Sequence, residues 1–226
     1  MREKFTYALG LGGLLLMIYN LHTIFTVLPD EAQQGAIGRM LFIHVPAAIA
    51  AYLFYTIAVV SSIAFLIRRN FAWDSLAVAC VEVGTVFTFV NLVTGSLWGH
   101  VIWGIWWAWD ARMTTQLMCF LLYLGYLLLR PAVSEPTQRG VMSAILAIFA
   151  FADIPIVIMA IRIKDIRTQH PSPVLETGGL DPTWWPPFLI GIVALALIGS
   201  ALMLVRLHQE TSQREMDSLR RELHAI

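Results

Sequence analysis

The sequence predicts an all-α membrane protein that crosses the bilayer six times. Its 226 residues are 58% hydrophobic and only 13% charged, a composition outside the range of soluble globular domains. A bilayer core about 30 Å thick requires roughly 20 consecutive apolar residues for each helical span. Six runs meet this requirement, at about residues 6–28, 40–67, 75–97, 113–130, 141–161 and 185–205.

The first run is expected to be a permanent span. Pro29 and acidic residues follow it, where a signal peptide would have a small-residue cleavage site. Gly10, Gly12 and Gly13 predict close contact with another helix, because small residues let helices approach each other in lipid. The six runs leave little chain for other structure, so residues 1–226 are expected to form a single membrane domain.

The distribution of lysine and arginine predicts the orientation. With the N-terminus inside, ten of the fifteen lysines and arginines lie on the inner side, and cytoplasmic loops carry the excess of these residues. Both termini are therefore expected to be cytoplasmic. The outer side then holds five cations, which is more than this rule favours: Arg39, Arg112, Arg162, Lys164 and Arg167.

The second, third and fifth runs contain the ionisable residues His44, Glu82 and Asp153. The second opens with "MLFIHVPAA", which places His44 about one helical turn from the outer surface. Pro46 is tolerated near a helix start, because first-turn amides have no intrahelical acceptor. Charged side chains are costly inside a bilayer, and neither Glu82 in the third run nor Asp153 in the fifth has an evident partner. Both are interpreted as structural, Glu82 by snorkelling or bonding between helices and Asp153 by accepting a hydrogen bond freed by Pro155.

The chain ends with an outer loop, the sixth run and a polar tail. Prolines and glycines in the loop that contains His170 disfavour long regular structure. Trp184 and Trp185 open the sixth run and are typical of interfacial anchors. From about residue 207 to residue 226, apolar residues recur three or four apart, which predicts an amphipathic cytoplasmic helix.

Composition and missing motifs argue against several function classes. The formal net charge is zero, so nothing indicates a nucleic-acid partner. Cys80 and Cys119 lack the spacing of a redox or zinc motif and are interpreted as small apolar residues. The sequence has no GxxxxGK[ST] phosphate loop, so the chain cannot itself power transport by nucleotide hydrolysis. No residue plainly acts as an acid, base or nucleophile, and an enzymatic role is not expected.

Residues 98–110 read "WGHVIWGIWWAWD" and hold five of the eight tryptophans. A membrane-interface aromatic belt accounts for two or three of them. At roughly 150–250 Å² per ring, five rings offer on the order of a thousand Å² of flat surface, which is more than one loop needs as an anchor. The segment is therefore a candidate platform for a ligand.

A helical conformation over residues 103–110 is one way to build such a platform. It places on one face Trp103, Trp106, Trp107 and Asp110. Trp98 and Trp109 then point elsewhere, while Gly99 and Gly104 leave the backbone open to close approach by a flat molecule.

A flat apolar ligand with polar corners suits this surface, and haem has these properties. Its porphyrin stacks on aromatic rings, its iron takes one or two imidazoles, and its propionates pair with Arg or Lys. Among the outer cations, Arg39 and Arg112 are the candidates for the propionates. Four of the six histidines fall on the same outer side, namely His22, His44, His100 and His170.

Two motifs resemble a known family. "VFTFVNLVTGSLWGHVIWGIWWAWDAR" is similar to the tryptophan-rich WWD signature of haem-handling membrane proteins, and "FIHVPAA" to that family's first histidine motif. The length, the six runs and the outer "PDEAQQG…GR…HVPAA" segment are similar to the cytochrome c maturation branch of the family, CcmC. The resemblance is strongest over residues 29–50 and 84–126.

The resemblance implies a haem site. His44 and His170 match the two outer histidines that ligate the iron of a non-covalently bound haem b. The positions that match the haem platform are Trp98, Gly99, Trp103, Gly104, Trp106, Trp107, Trp109, Asp110 and Arg112.

This sequence departs from its relatives at three places. His100 and Val101 stand where lysine and proline are common, so His100 is a rival ligand. "IRIKDIR" stands where a tryptophan pair often precedes the second histidine. Asp153 stands where a neutral amide is common.

The resemblance also implies a task and partners. The chain is expected to present haem at the outer face of the inner membrane to a periplasmic haem chaperone (CcmE-like). It would work beside an ABC ATPase (CcmA-like), a permease subunit (CcmB-like) and a small single-span subunit (CcmD-like). The alternatives are a b-type electron-transfer cytochrome ligated by His22 and His44, and a non-haem permease subunit whose tryptophans only anchor it.

Overall fold

The protein is all-helical in a computed structural model that describes residues 2–162, 170 and 180–224. Short 3-10 helices, Ala36–Met40 and Pro182–Trp184, precede the second and the last α-helix. The α-helices of the described residues are α1 (Arg2–Thr26), α2 (Leu41–Arg68), α3 (Phe71–Trp103), α4 (Ala111–Ala132), α5 (Pro136–Phe151), α6 (Asp153–Met159) and α7 (Trp185–His224).

Six helical segments are long and apolar enough to cross a membrane. Their bounds are Glu3–Thr26, Ala36–Arg68, Phe71–Trp103, Ala111–Ala132, Pro136–Met159 and Pro182–Arg220. The six predicted spans are therefore confirmed, although several extend further than the sequence indicated. The last span and the predicted tail form one continuous helix, because α7 has 40 residues and is about 60 Å long at 1.5 Å per residue.

Pro155 divides the fifth span into α5 and α6. Proline has no N–H to donate to the Phe151 carbonyl, and its ring would clash with that group in a continuous helix. Asp153 lies at this break and is 4% exposed. Neither of its carboxylate oxygens has a hydrogen-bond partner among the described residues, so the expected bond at the proline kink is not formed.

The α2–α3 pair forms the centre of the bundle. Only Arg69 and Asn70 separate the two helices: Arg69 has a left-handed backbone (φ 55°), and the Asn70 side chain caps α3 by accepting from the Ala72 N–H at 2.9 Å. At Gly84 a Cβ would lie 2.6 Å from Cε1 of Tyr55, so glycine permits the close approach of α3 to α2. We call this end of the bundle the hairpin end.

The outer helices pack through small and aromatic residues. A Cβ at Gly13 would lie 2.9 Å from Ile198 and one at Gly10 would lie 3.5 Å from Ala201, whereas one at Gly12 would meet open space. Two of the three predicted contact glycines thus face α7. Trp184 is not an interfacial anchor as expected: it is buried, with its ring centroid 5.0 Å from that of Phe42, because the start of α7 folds over α2.

Cys80 and Cys119 are buried free thiols, as their interpretation as small apolar residues requires. They belong to the main hydrophobic core, in which Tyr55 stacks on Tyr123 with ring centroids 3.6 Å apart.

An ion network joins α3, α4 and α7 at the hairpin end. Both terminal nitrogens of Arg130 donate to the Asp74 carboxylate at 2.9 Å, and Arg214 also donates to it. Glu82 of α3 pairs with Arg206 of α7, which confirms the interpretation of Glu82 as a residue that bonds between helices and identifies the partner that the sequence did not reveal. Its partner comes from the extension of α7 beyond the predicted span.

Removal of the Asp74 carboxylate is expected to destabilise the bundle strongly. Asp74→Ala leaves the Arg130 and Arg214 charges unpaired in a site where Asp74 is 2% exposed, and breaking a buried pair costs about 3–5 kcal/mol. The matched control is Asp217→Ala, whose pair with Arg220 is 3.8 Å long and largely exposed and contributes about 0–1 kcal/mol. Thermal unfolding of the purified protein measures both, and equal shifts would contradict a structural role for the network.

Candidate functional site

A cavity of about 530 Å³ lies at the end of the bundle opposite the hairpin end. Its volume falls within the roughly 300–1,000 Å³ of small-molecule and cofactor pockets. The walls come from the loop before α2, from α2, α3 and α4, and from His170. Seven of the twelve residues predicted for the site line it: His44, His170, Trp98, Gly99, Trp103, Trp107 and Arg112.

His44 is held in place by α3. The Thr94 hydroxyl donates its proton to the Val90 carbonyl at 2.7 Å, so the Thr94 oxygen accepts from the His44 Nδ1–H at 3.1 Å. The Asn91 amide donates to the His44 carbonyl at 2.9 Å and lies 3.3 Å from both ring nitrogens. The Thr94 contact favours the tautomer with the proton on Nδ1, and the Asn91 amide lies within hydrogen-bond distance of the unprotonated Nε2.

Gly95 and Trp98 complete the surroundings of the His44 ring. A Cβ at Gly95 would lie 2.8 Å from Cε1 of His44, so glycine at this position makes room for the imidazole. The Trp98 ring meets that of His44 edge-on, with centroids 5.9 Å apart. The Trp98 Nε1–H donates to Oε1 of Gln34 at 2.8 Å, which ties the loop before α2 to α3.

His170 faces His44. The two imidazole centroids are 6.2 Å apart and the ring planes are inclined by 32°. The remaining predicted cations of this loop, Lys164 and Arg167, lie outside the described residues.

The tryptophan segment is not helical between Gly104 and Asp110, so the expected face shared by Trp103, Trp106, Trp107 and Asp110 is wrong. Gly104 ends α3 in a left-handed conformation (φ 71°), and its N–H bonds to the His100 carbonyl at 2.9 Å. Trp109 also has a positive φ, 53°, a conformation that side chains with a Cβ rarely adopt. The chain therefore turns at both ends of this loop.

These turns divide the tryptophans between two environments. Trp98, Trp103 and Trp107 line the cavity, and the buried Nε1 of Trp107 has no hydrogen-bond partner among the described residues. Trp106 is 55% exposed and Trp109 is 70% exposed, and neither lines the cavity. Three of the five tryptophans of the predicted platform therefore line the cavity.

The rival histidines lie apart from the cavity in the described structure. His100 stacks on Trp106, with ring centroids 4.0 Å apart and planes inclined by 5°. His22 is exposed on α1, where its ring lies 3.4 Å from the Thr26 hydroxyl. Neither ring contributes to the cavity wall.

The two predicted propionate partners occupy different positions. Arg112 lines the cavity, and its Nη1 donates to the Val157 carbonyl at 3.2 Å. Arg39 does not line it: its guanidinium donates to Asp30 and to the carbonyls of Ile24 and Leu28. Arg39 thus fastens the loop before α2 to α1.

Asp110 begins α4. Its Oδ1 accepts from the Met113 N–H at 2.8 Å, which is the bond of an N-cap residue. Asp110 is not part of the cavity lining, and its observed hydrogen bond stabilises the start of α4.

Three residues around His44 were missed from the sequence alone, namely Asn91, Thr94 and Gly95, whereas Trp98 was predicted. Asn91, Thr94, Gly95 and Trp98 recur three or four apart and share the face of α3 that meets α2. This spacing next to the tryptophan motif could have identified these residues as one face of a helix beside the site. Gln34 gave no such signal, because its contact with Trp98 spans 64 residues.

Comparison with known proteins finds one family over almost the whole chain. The model described as "Heme exporter protein C" matches residues 1–222. A protein of that name from Bradyrhizobium diazoefficiens is 35% identical over 193 residues, which are 84% of this chain and 73% of the relative. One from Paracoccus denitrificans is 31% identical over 193 residues (84% and 80%). One from Escherichia coli K12 is 34% identical over 179 residues (79% and 72%).

Loss of the α4 cap is expected to lower stability. Asp110→Ala removes the acceptor for the Met113 N–H and should cost about 0.5–2 kcal/mol, whereas Asp110→Asn keeps an acceptor oxygen of a favoured capping residue. Thermal unfolding of the purified variants measures the difference. Equal destabilisation by alanine and asparagine would contradict the capping role.

Proposed function

The chain belongs to the haem exporter protein C family, and we propose that it binds haem b in the cavity between His44 and His170. The haem is cargo, which the protein delivers for the maturation of c-type cytochromes. The observation that carries the proposal is the pair of imidazoles that face each other in a tryptophan-walled cavity.

The separation of the imidazoles supports bis-histidine ligation. Two imidazoles that bind one metal ion from opposite sides, with metal–nitrogen distances of about 2.0–2.1 Å, have ring centroids roughly 6 Å apart. The His44 and His170 centroids are 6.2 Å apart. The rings are therefore spaced for one shared metal ion.

The metal-binding side chains at the cavity support a metal ion that is already coordinated by a cofactor. Among the described residues, no group of three or more His, Cys, Asp or Glu side chains could hold a metal ion. A metal bound by His44 and His170 alone needs further donors, which the four nitrogens of a porphyrin supply. Haem meets this requirement, whereas a bare zinc ion needs four ligands.

The residues that line the cavity support the proposal of a flat apolar cargo. The rings of Trp98, Trp103 and Trp107 provide aromatic surface, and Arg112 is the charged group of the lining. An arginine at the edge of an aromatic pocket suits a carboxylate, because its planar fork matches carboxylate geometry. We therefore assign the propionates to Arg112, since the donors of Arg39 are directed to other groups.

The roles of the residues follow from these contacts. His44, oriented by Thr94 and Asn91, offers Nε2 to the iron, and His170 offers the second imidazole. The tryptophans hold the porphyrin and keep water from its faces. Release of the cargo requires both imidazoles to give up the iron to the acceptor.

The orientation in the membrane is part of the proposal. The hairpin end gathers arginines from four helices, among them Arg68, Arg130, Arg139 and Arg214, and positive charge favours the cytoplasmic side. The termini then lie in the cytoplasm, and the cavity with its tryptophans lies at the periplasmic face of the inner membrane.

The partners follow from this placement and from the family. A CcmE-like periplasmic chaperone would receive the haem at the cavity. A CcmA-like ATPase would supply the nucleotide hydrolysis for which this sequence has no phosphate loop, beside CcmB-like and CcmD-like membrane subunits. A b-type cytochrome ligated by His22 and His44 is less well supported, because His22 is exposed on α1.

Each proposed ligand is expected to be essential for the haem spectrum. His44→Ala and His170→Ala should abolish the low-spin bis-imidazole absorption and weaken haem binding by more than the roughly 10–100-fold lost with an outer-shell partner. His22→Ala and His100→Ala are the controls and should keep the spectrum. An unaltered spectrum in either ligand variant would show the assignment to be wrong, and loss in His22→Ala would favour the b-type cytochrome.

Arg112 is expected to recognise the propionates. Arg112→Gln removes a charged hydrogen bond of about 1.5–3 kcal/mol, so the Kd for haem should rise about 10–150-fold. The matched control is Arg39→Gln, which should leave the Kd nearly unchanged. Absorbance titrations with haem and with its dimethyl ester measure the effect. The loss should vanish for the ester, and an equal loss with both ligands would contradict the pairing.

A further inference from the structure

A polar stripe runs along the whole length of α4. Its six residues are spaced four or three apart and therefore share one face of the helix: Arg112, Gln116, Cys119, Tyr123, Tyr126 and Arg130. Gln116, Cys119, Tyr123, Tyr126 and Arg130 are buried in the bundle. Polar groups inside a membrane are costly and mark pathways for protons, ions or substrates. We call this row the α4 stripe.

The upper part of the α4 stripe reaches the cavity. Arg112 and Gln116 both line it. Oε1 of Gln116 accepts from the Tyr52 hydroxyl at 2.5 Å, and Tyr52 lies eight residues after His44 on α2, about 12 Å further along the helix. The Tyr52 hydroxyl thus extends the polar wall of the cavity into the bundle.

Asp153 lies next to this point. The next residue, Ile154, belongs to the same buried cluster as Cys119 and Tyr123 of α4, and Tyr52 of α2 packs against that cluster. Two arginines donate to backbone carbonyls of α6: Nη1 of Arg112 to Val157 at 3.2 Å, one turn after Asp153, and Nη1 of Arg162 to Ile158 at 2.6 Å. The arginine of α5, Arg139, is near the opposite end of that helix.

Several polar atoms of this cluster are buried without a protein partner in the described chain. They are both carboxylate oxygens of Asp153, Nε2 of Gln116 and the Tyr123 hydroxyl. An unsatisfied buried polar group costs about 1–3 kcal/mol, and a charged one more. A carboxylate in such a site is stabilised by taking up a proton and by bonding to water.

We propose that Asp153 is an intramembrane proton-binding site that exchanges its proton with the cavity through Tyr52 and Gln116. The carboxylate takes up one proton and becomes a neutral carboxyl, and no electron or other group is transferred. Gln116 holds the Tyr52 hydroxyl at the cavity wall, and water carries the proton between that hydroxyl and the carboxylate.

The packing below Asp153 assigns the exchange to the cavity and not to the hairpin end. Tyr55 and Tyr123 stack with centroids 3.6 Å apart, and both are fully buried. The Tyr55 hydroxyl bonds to Thr88 at 3.0 Å. The Tyr55 hydroxyl is thus bonded within the protein, whereas Gln116, which accepts from Tyr52, lines the cavity, so we assign the exchange to the cavity.

Difference infrared spectroscopy of the full-length protein in lipid nanodiscs, without haem, tests the proposal. A change from mildly alkaline to mildly acidic pH should produce the C=O band of a protonated carboxyl, and the band should shift in D₂O. Asp153→Asn should remove it, whereas Glu82→Gln, which alters a partly buried acid of α3 that is paired with Arg206, should retain it. If Asp153→Asn does not fold, carboxyl-¹³C-aspartate labelling and Asp153→Glu identify the band instead. Absence of an Asp153 band that responds to pH would overturn the proposal.

The route of the proton between Asp153 and the cavity is tested by the rate at which the same infrared band shifts after transfer into D₂O. Tyr52→Phe should slow the exchange by on the order of 100-fold, the lower end of what a positioned proton-transfer group contributes. Tyr55→Phe is the matched control on the hairpin side and should leave the rate unchanged. Slowing by Tyr55→Phe alone would overturn the route through the cavity. Because no haem is present, these results are independent of whether haem binding itself is established.

Discussion

The contact between α2 and α3 determines the position of almost everything else in this protein. The two helices approach closely because Gly84 and Gly95 leave space for Tyr55 and for His44. Asn91 and Thr94 then bond to His44 across the same interface. One wall of the cavity and the orientation of its best-held imidazole are therefore products of backbone packing in the middle of the bundle.

The same contact separates the two ends of the molecule chemically. Polar groups inside a membrane need hydrogen-bond partners within the protein or on a ligand. The two ends of the bundle differ in which of these they use. At the hairpin end, Asp74, Arg130 and Arg214 satisfy one another. At the cavity end, His44, Trp107 and Arg112 present groups toward a space, which is what a site for exchangeable cargo requires.

The six spans could be predicted because hydropathy over twenty residues is a strong signal that does not depend on neighbours. The conformation of the tryptophan segment could not be predicted by helical spacing, because Gly104 and Asp110 act locally as a stop and a cap and override it. Contacts between residues far apart in the sequence could not be predicted, because only the fold brings the partners together. Glu82 and Arg206 are separated by 124 residues, and Trp184 is buried by helices from the other half of the chain. His44 and Arg112 could be singled out from the sequence because each lies in a family motif and is a polar or charged residue next to an apolar span. Asp153 was noticed for the same reason, but its neighbours on α2 and α4 were invisible without the fold.

The length of α7 has a mechanical consequence. Within this single helix of about 60 Å, Phe188 is buried beside Phe42 near the cavity end and Arg214 is bonded to Asp74 at the hairpin end. The described structure has no break in this helix, so it behaves as a stiff rod fixed at two points. Phe54 and Phe87 pack against its backbone at Gly199, between the two ends. The packing near the cavity end is therefore joined through one unbroken helix to the ion network of the hairpin end.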